Sequence, residues 1–370
     1  MRNIAFVLDT FRIMHVDQFE GVAAAVAGRA SVTGIEIFSG HEDYAFDARR
    51  GATFDHVNLF KAEERARLGM LRGAWHILRQ CRVARAGTVF LTHYERSYVF
   101  LAALMLRLSG KRVFVLQDSK FDDYRRFLWR EVFKRLMYKP YRGAIVASPR
   151  SADYLRFLGV NAERIRLNCY TTSLARVRAS AGAPPAPAGT PFAERAFLCV
   201  ARLIPKKNHA TLLDAYALYA GRAAAPRKLI LCGSGPLEAE IRARIHALGL
   251  DELVVLKGNL ASAEIARELA GGLCLLLPSI EEQYGIVVIE AQAMGLPVIL
   301  SENCGARDTQ VQSGVNGFVV ESGNAEGMAF FMERLGGDEA LWSEMAEAAY
   351  RSADRGDVAG FVESVLSLAS

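Results

Sequence analysis

Residues 278–301 read PSIEEQYGIVVIEAQAMGLPVILS, and the organisation of the chain follows from them. The apolar run 273–277 has strand character and stops at Pro278-Ser279. A short polar loop follows, and a helix is expected from about Gly285, ending at Gly295-Leu296-Pro297 before the next apolar run, 298–300. Strand, helix and strand in succession form the crossover unit of a parallel sheet. In that frame Gly285, Ile286 and Val287 offer unpaired amides at a helix N-terminus, which together with the helix dipole make a seat for an anion. Glu282 precedes the helix and Glu290 lies inside it, roughly 8 Å further along the axis at the ordinary helical rise. That spacing suits two hydroxyl-bearing rings on either side of a diphosphate, because a charged acceptor makes a hydrogen bond about twice as strong as a neutral one. A plain solvated pair is the alternative. Against it stands the position of Glu290 directly after Ile286-Val287-Val288-Ile289, where an unpaired charge is costly to bury.

The same alternation of short apolar runs with longer amphipathic segments extends over the whole chain. Strand candidates are 4–8, 34–38, 89–91, 113–116 and 144–147 in the first half, and 197–200, 229–232, 253–256, 274–277 and 298–300 in the second. Between the halves, residues 179–191 (ASAGAPPAPAGTP) contain only Ala, Pro, Gly, Ser and Thr and are expected to form a semi-extended connector. The expected organisation is therefore a first domain at 1–178, a linker at 179–191, a second domain at 192–356 and a terminal helix at 357–370. The fold class is α/β, with two doubly wound Rossmann-like domains facing each other across a cleft. Ligands of such sheets bind beyond the carboxyl ends of the strands.

Bulk properties narrow the function. In 370 residues, 51% are hydrophobic and 23% charged, a folded composition long enough for two cores. No apolar run approaches the roughly 20 residues of a membrane-spanning helix, and no signal-peptide pattern follows Met1, so a cytoplasmic location is expected. The six cysteines are scattered singly, without metal spacing, and read as structural. Residues 1–185 hold 30 Lys/Arg against 17 Asp/Glu, net +13, and the remainder 15 against 23, net −8. A basic half joined to an acidic one points to an anionic surface or partner for the first half only. No nucleic-acid motif accompanies the charge, so no nucleic-acid partner is expected. From Tyr124 to Arg142 the sequence YRRFLWREVFKRLMYKPYR carries seven basic residues against Glu131 alone, with Phe127, Trp129, Phe133, Leu136, Met137 and Tyr138 as bulky apolar groups. Such a segment is expected either to dock peripherally on an anionic membrane or to turn its apolar face into the domain core.

Two further clusters carry chemistry. Arg202 and Lys207 follow the apolar run 197–200 directly and should lie at the carboxyl end of that strand, where two cations could neutralise a leaving diphosphate. Leu231-Cys232-Gly233-Ser234-Gly235 is a strand entering a glycine-rich turn, with neither dinucleotide-fingerprint nor P-loop spacing, and reads as a tight turn that keeps side chains away from a ligand.

Together these pieces resemble glycosyltransferase family 4, with specific motifs over residues 196–330 and only a shared layout over 1–178. Glu282 and Glu290 match the family's E-x7-E motif, Arg202 and Lys207 its R-L-x-x-x-K element, and 313–320 (SGVNGFVV) its E-G-x-N-G-F-L-V hairpin, with Ser313 replacing the usual Glu. The resemblance implies the GT-B architecture and a retaining glycosyl transfer from a nucleotide-sugar donor to a glycan or lipid-linked acceptor, without a cofactor or bound metal. It implies that Arg202 and Lys207 hold the donor diphosphate, Glu282 the sugar hydroxyls, Glu290 the ribose, the amides of Gly285, Ile286 and Val287 the distal phosphate and sugar, and the loop with Asn259 and Leu260 the base, while Gly233 shapes the donor site. No DxD metal motif is present in the second half, and Asp122-Asp123 lies in the first. The first half departs from the pattern: Leu8 to His15 lacks the family's Gly-Gly loop, and Gln117 stands where many relatives carry a histidine. Acceptor-side candidates are His15, His93, Gln117 and Asp118. The alternatives are a nucleotide-sugar epimerase or glycan phosphorylase of the same architecture, and a catalytically silent binding subunit.

Overall fold

The computed structural model describes residues 2–39, 53–123 and 126–370. The chain forms two compact units, one from residues 1–172 with 358–370 and one from residues 173–357. The first unit runs β1 (Ile4–Leu8), α1 (Ile13–Val26), β2 (Val32–Ser39), β3 (Asp55–Lys61), α2 (Met70–Val83), β4 (Thr88–Leu91), α3 (Ser97–Leu108), β5 (Arg112–Gln117), α4 (Leu128–Tyr138), β6 (Ala144–Val146), α5 (Pro149–Phe157) and β7 (Ile165–Arg166). The second runs α6 (Leu174–Ala181), β8 (Ala196–Val200), α7 (His209–Arg222), β9 (Leu229–Cys232), α8 (Glu238–Ala247), β10 (Val254–Gly258), α9 (Ser262–Ala270), β11 (Gly272–Leu277), α10 (Val287–Ala293), β12 (Val298–Ser301), β13 (Gly317–Val320), α11 (Ala325–Gly337) and α12 (Glu339–Ser352). The last helix, α13 (Val358–Ala369), returns to the first unit.

Every strand pair among the described residues is parallel, in the orders β3-β2-β1-β4-β5-β6-β7 and β10-β9-β8-β11-β12-β13. Parallel strands require crossovers, and the crossover helices bury both faces of the central strands, which explains why β1 and β11 are wholly apolar and buried and β4 is buried with Thr88 as its one polar residue. The ten strands expected from apolar runs are present. The two missed in the first unit are weak in pattern: β3 (DHVNLFK) is a polar edge strand and β7 spans two residues. In each sheet the direction of winding reverses once, between β1 and β4 and between β8 and β11.

Three sequence expectations change. The boundary between units falls after Thr172, not in the Ala/Pro stretch. Residues 179–181 end α6, and Ala186 is buried in the second unit with its amide donating to the Met294 carbonyl at 2.9 Å. Small side chains let that backbone lie directly on Gly295, where a Cβ would collide with the Ala186 carbonyl. The expected hairpin at 313–320 is instead an edge strand, β13, parallel to β12, because buried Asn316 ties the turn back to the Gln310 carbonyl at 2.8 Å. The helix expected from Gly285 begins at Val287, so Glu290 sits in its first turn and the helical-rise spacing to Glu282 does not apply.

Helix α13 extends the first core. Phe361, Val365, Leu368 and Ala369 are buried with Phe6 and Phe19, and the Phe361 and Phe6 rings lie 5.9 Å apart. Gly21 of α1 allows the approach, since a Cβ there would stand 3.0 Å from Val362. Phe361→Ala is expected to lower the stability of the first unit by about 3–5 kcal/mol. Native-state hydrogen exchange checks this: β1 amides should lose protection while β8 amides keep theirs.

Candidate functional site

In the second unit the carboxyl edge of the sheet is built by backbone contacts between loops. After β8 the chain pairs with the glycine-rich turn: the Ala201 amide donates to Cys232 at 3.0 Å, Leu203 to Ser234 at 2.9 Å, and Leu237 back to Leu203 at 3.1 Å. Gly233 and Gly235 are required there, because a Cβ on either would strike the carbonyl of Ala201 or Leu203. The Gly233 amide donates in turn to Gly258 at 2.7 Å, which puts Asn259 and Leu260 next along the same edge. Exposed Arg202 stands on this zipper.

The adjacent strand β11 ends in Pro278, and its loop docks on residues 206–208. The Ile280 amide donates to the Lys206 carbonyl at 2.8 Å, and Asn208, in a left-handed conformation at φ 56°, donates through Nδ2 to the Pro278 carbonyl at 3.3 Å. Two ion pairs result in register: Lys206 Nζ with Glu281 at 3.1 Å, and Lys207 Nζ with Glu282. The side chains of Lys207 and Glu282 are each only 12% exposed, so this pair is held largely out of water, where breaking one partner costs more than at a surface. Beyond it, Cys304 Sγ donates to the Tyr284 carbonyl at 2.9 Å and the Gly305 amide to the Glu282 carbonyl at 3.1 Å, fixing residues 282–284. Gly285, at φ 93°, turns the chain into α10, whose first amide bond runs from Val288 to the Gly285 carbonyl at 3.0 Å. The amides of Ile286 and Val287 precede any carbonyl a turn earlier. The structure thus brings Arg202, Lys207, Gly233, Asn259, Leu260, Glu282, Gly285, Ile286, Val287 and Glu290 to one sheet edge, around the β8/β11 reversal.

The first unit places its candidates at the equivalent β1/β4 reversal. Asp9, after β1, is buried and accepts from Arg65 at 3.3 Å. His93, after β4, has φ 56° and faces Glu95 at 3.2 Å. Burial pulls the His93 imidazole down, but Glu95, Asp9 and Asp118 outweigh it and raise its pKa. His15, on α1, accepts from the Arg12 amide at 3.0 Å. Burial, with smaller contributions from Arg12 and His93, lowers it to about 3. Asp118 accepts from the Tyr170 hydroxyl at 2.7 Å, and Gln117 is buried with Nε2 unsatisfied among the described residues. His15, His93 and Asp118 therefore share one electrostatic neighbourhood, while Gln117 belongs to the sheet.

Residues 187–352 match the family model of glycosyl transferases, group 1. The chain is 32% identical over 149 residues to the amylovoran biosynthesis glycosyltransferase AmsK of Erwinia amylovora, covering 39% of this chain and 36% of that protein. It is 31% identical over 198 residues to the D-inositol 3-phosphate glycosyltransferase of Streptomyces bingchenggensis, covering 53% of this chain and 43% of that protein. The matches thus span less than half the length of these curated relatives. Across both units the chain shares the fold of HepE from Anabaena, solved with UDP and glucose, at a TM-score of 0.72 and 19% identity over 99% of each chain. The α/β GT-B fold is the one this chain adopts.

Sequence reasoning missed the residues that hold the carboxyl edge of the second sheet together. Asn208 and Cys304 act through side-chain bonds to distant backbone carbonyls and Gly305 through its amide, and only the left-handed bias of Asn hints at Asn208. It also missed His209, the first residue of α7, which is buried with Nδ1 unsatisfied among the described residues; burial and then Lys207 lower its pKa from 6.5 to about 4. Between those values the unfolded chain binds a proton that the folded chain does not, so this histidine makes stability fall as pH drops from about 6.5 to about 4. His209→Gln should flatten that part of the profile. Urea unfolding at about pH 7 and about pH 4.5 measures it, and an unchanged difference would refute the assignment.

Proposed function

We propose that the chain is a retaining glycosyltransferase that moves a sugar from a nucleotide-sugar donor to a glycan or lipid-linked acceptor without a bound metal. The observation that carries this reading is the Lys207–Glu282 pair at the β8/β11 reversal, inside the segment that matches the family. A cation and a carboxylate side by side at the mouth of a parallel sheet can meet the two ends of one bond, the phosphate oxygen that leaves and the sugar that is transferred. Lys207 and Arg202 take the diphosphate and stabilise the charge that grows on it as the C–O bond breaks, the work otherwise done by a metal ion. Glu282 accepts from the sugar hydroxyls and opposes the positive charge developing at the anomeric carbon. Glu290 accepts from the ribose, Gly285, Ile286 and Val287 offer amides to the distal phosphate and sugar, and Asn259 and Leu260 lie against the base. The acceptor oxygen bonds to the anomeric carbon on the face the diphosphate leaves, and its proton passes to the departing phosphate, which retains configuration. His93, raised in pKa by Glu95 and Asp9, and Asp118 position the acceptor. A silent binding subunit has no need of Arg202, Lys207, Glu282 and Glu290 together.

Thermal stabilisation across a panel of UDP-, GDP-, ADP- and dTDP-sugars identifies the donor, since a ligand that binds the native state raises its stability. With that donor, Glu282→Gln is expected to lower kcat while leaving donor affinity nearly intact. Glu290→Gln is expected to weaken donor binding by about 1–3 kcal/mol with little change in bound turnover. Calorimetry beside single-turnover rates separates the two, and NMR of the product with and without EDTA reads retention and metal dependence. The reverse pattern in the two glutamates, or an inverted product, would overturn the assignment.

A further inference from the structure

Helix α4 is amphipathic in the wrong sense for a helix that serves only its own core. Its inner side carries charge: Glu131 is buried, accepting from the Tyr154 hydroxyl at 2.6 Å and from Lys134 Nζ at 2.9 Å, with Arg126 at 3.9 Å. Its outer side carries Leu128, Trp129, Val132, Phe133 and Leu136, which are 76%, 68%, 58%, 59% and 49% exposed. These positions repeat every three to four residues and form one continuous stripe, unlike the scattered apolar groups of an ordinary surface. Of the apolar groups noted in the sequence, Tyr138 is buried and Met137 packs on the core, whereas the others face outward; Tyr124 and Arg125 lie outside the described residues.

Cations flank the stripe. Arg130, Arg135 and Lys139 are exposed and join no ion pair among the described residues, and Arg130 lies 5.1 Å from the ring centroids of both Phe127 and Trp129. Helix α2, which shares the same core face, adds a second patch with Met70, Leu71 and Trp75 exposed beside Arg72 and Arg79. Aromatic and aliphatic side chains bordered by arginine match a bilayer interface, in which rings enter below the headgroups and cations meet phosphate.

We propose that α4 is an interfacial anchor, laying the Leu128–Trp129–Val132–Phe133–Leu136 stripe into the surface of an anionic membrane, with α2 as an accessory contact. No helix among the described residues is long and apolar enough to cross a membrane, so the contact is one of lying on the surface. The inference does not depend on glycosyl transfer, because the vesicles are bound without donor or acceptor.

The full chain is mixed with vesicles of phosphatidylglycerol or of phosphatidylcholine alone, and read by co-sedimentation and tryptophan emission. Trp342 is buried in the second unit, so any shift reports Trp75 and Trp129. Anionic vesicles are expected to pellet the protein and shift its emission to the blue. Trp129→Ala with Phe133→Ala should abolish most of the shift. Exchanging Arg130, Arg135 and Lys139 for Gln should weaken binding roughly a hundredfold, at about fivefold per cation. Exposed positions are chosen so that both variants fold, and circular dichroism confirms it. No binding, equal binding to the two lipids, or binding that survives both variants overturns the proposal. So does a wild-type dimer that the Trp129/Phe133 variant converts to monomer, which would assign the stripe to a second copy.

Discussion

The parallel pairing of β8 with β11 is the contact on which the candidate site depends. These strands are separated by more than 70 residues, and chain entropy opposes bringing them together until both faces of the sheet are covered. Once paired, their carboxyl ends cannot avoid each other: Lys206 and Lys207 leave one strand as Glu281 and Glu282 leave the next. The two ion pairs are a result of that register. At 12% exposure the Lys207–Glu282 pair would be a poor source of stability, since desolvation offsets much of its attraction. What the pair does is keep opposite charges at one place.

Glycine and asparagine set how closely the loops of this edge approach. Gly233, Gly235 and Gly305 all lie against carbonyls that leave no room for a Cβ. Gly285 and Asn208 hold left-handed backbone next to the ion pairs. Side chains that reach a ligand are therefore few, and backbone amides and short loops form the rest of the surface. The first unit repeats the placement with different chemistry, gathering Asp9, His93, Glu95 and Asp118 at its own reversal. There, burial and negative charge act on His93 in opposite directions.

Helix α4 shows a different balance. A helix that buries Glu131 and exposes Trp129 and Phe133 forgoes hydrophobic burial in its own domain. That cost is recovered only if another apolar phase covers the stripe.

The sequence by itself determined the α/β class and ten of the thirteen strands among the described residues, because apolar period and glycine stops are local signals, and it put Arg202, Lys207, Glu282 and Glu290 forward as candidates. The family resemblance added the GT-B fold. Only the tertiary structure decided that the Ala/Pro stretch packs on Gly295, that α13 completes the first core, that β13 is an edge strand, and that Lys207 meets Glu282. It also decided which side of α4 faces out. Each of these depends on contacts between segments distant in the chain, where a small residue or an amphipathic face permits several packings and the sum of burial and backbone hydrogen bonds selects one.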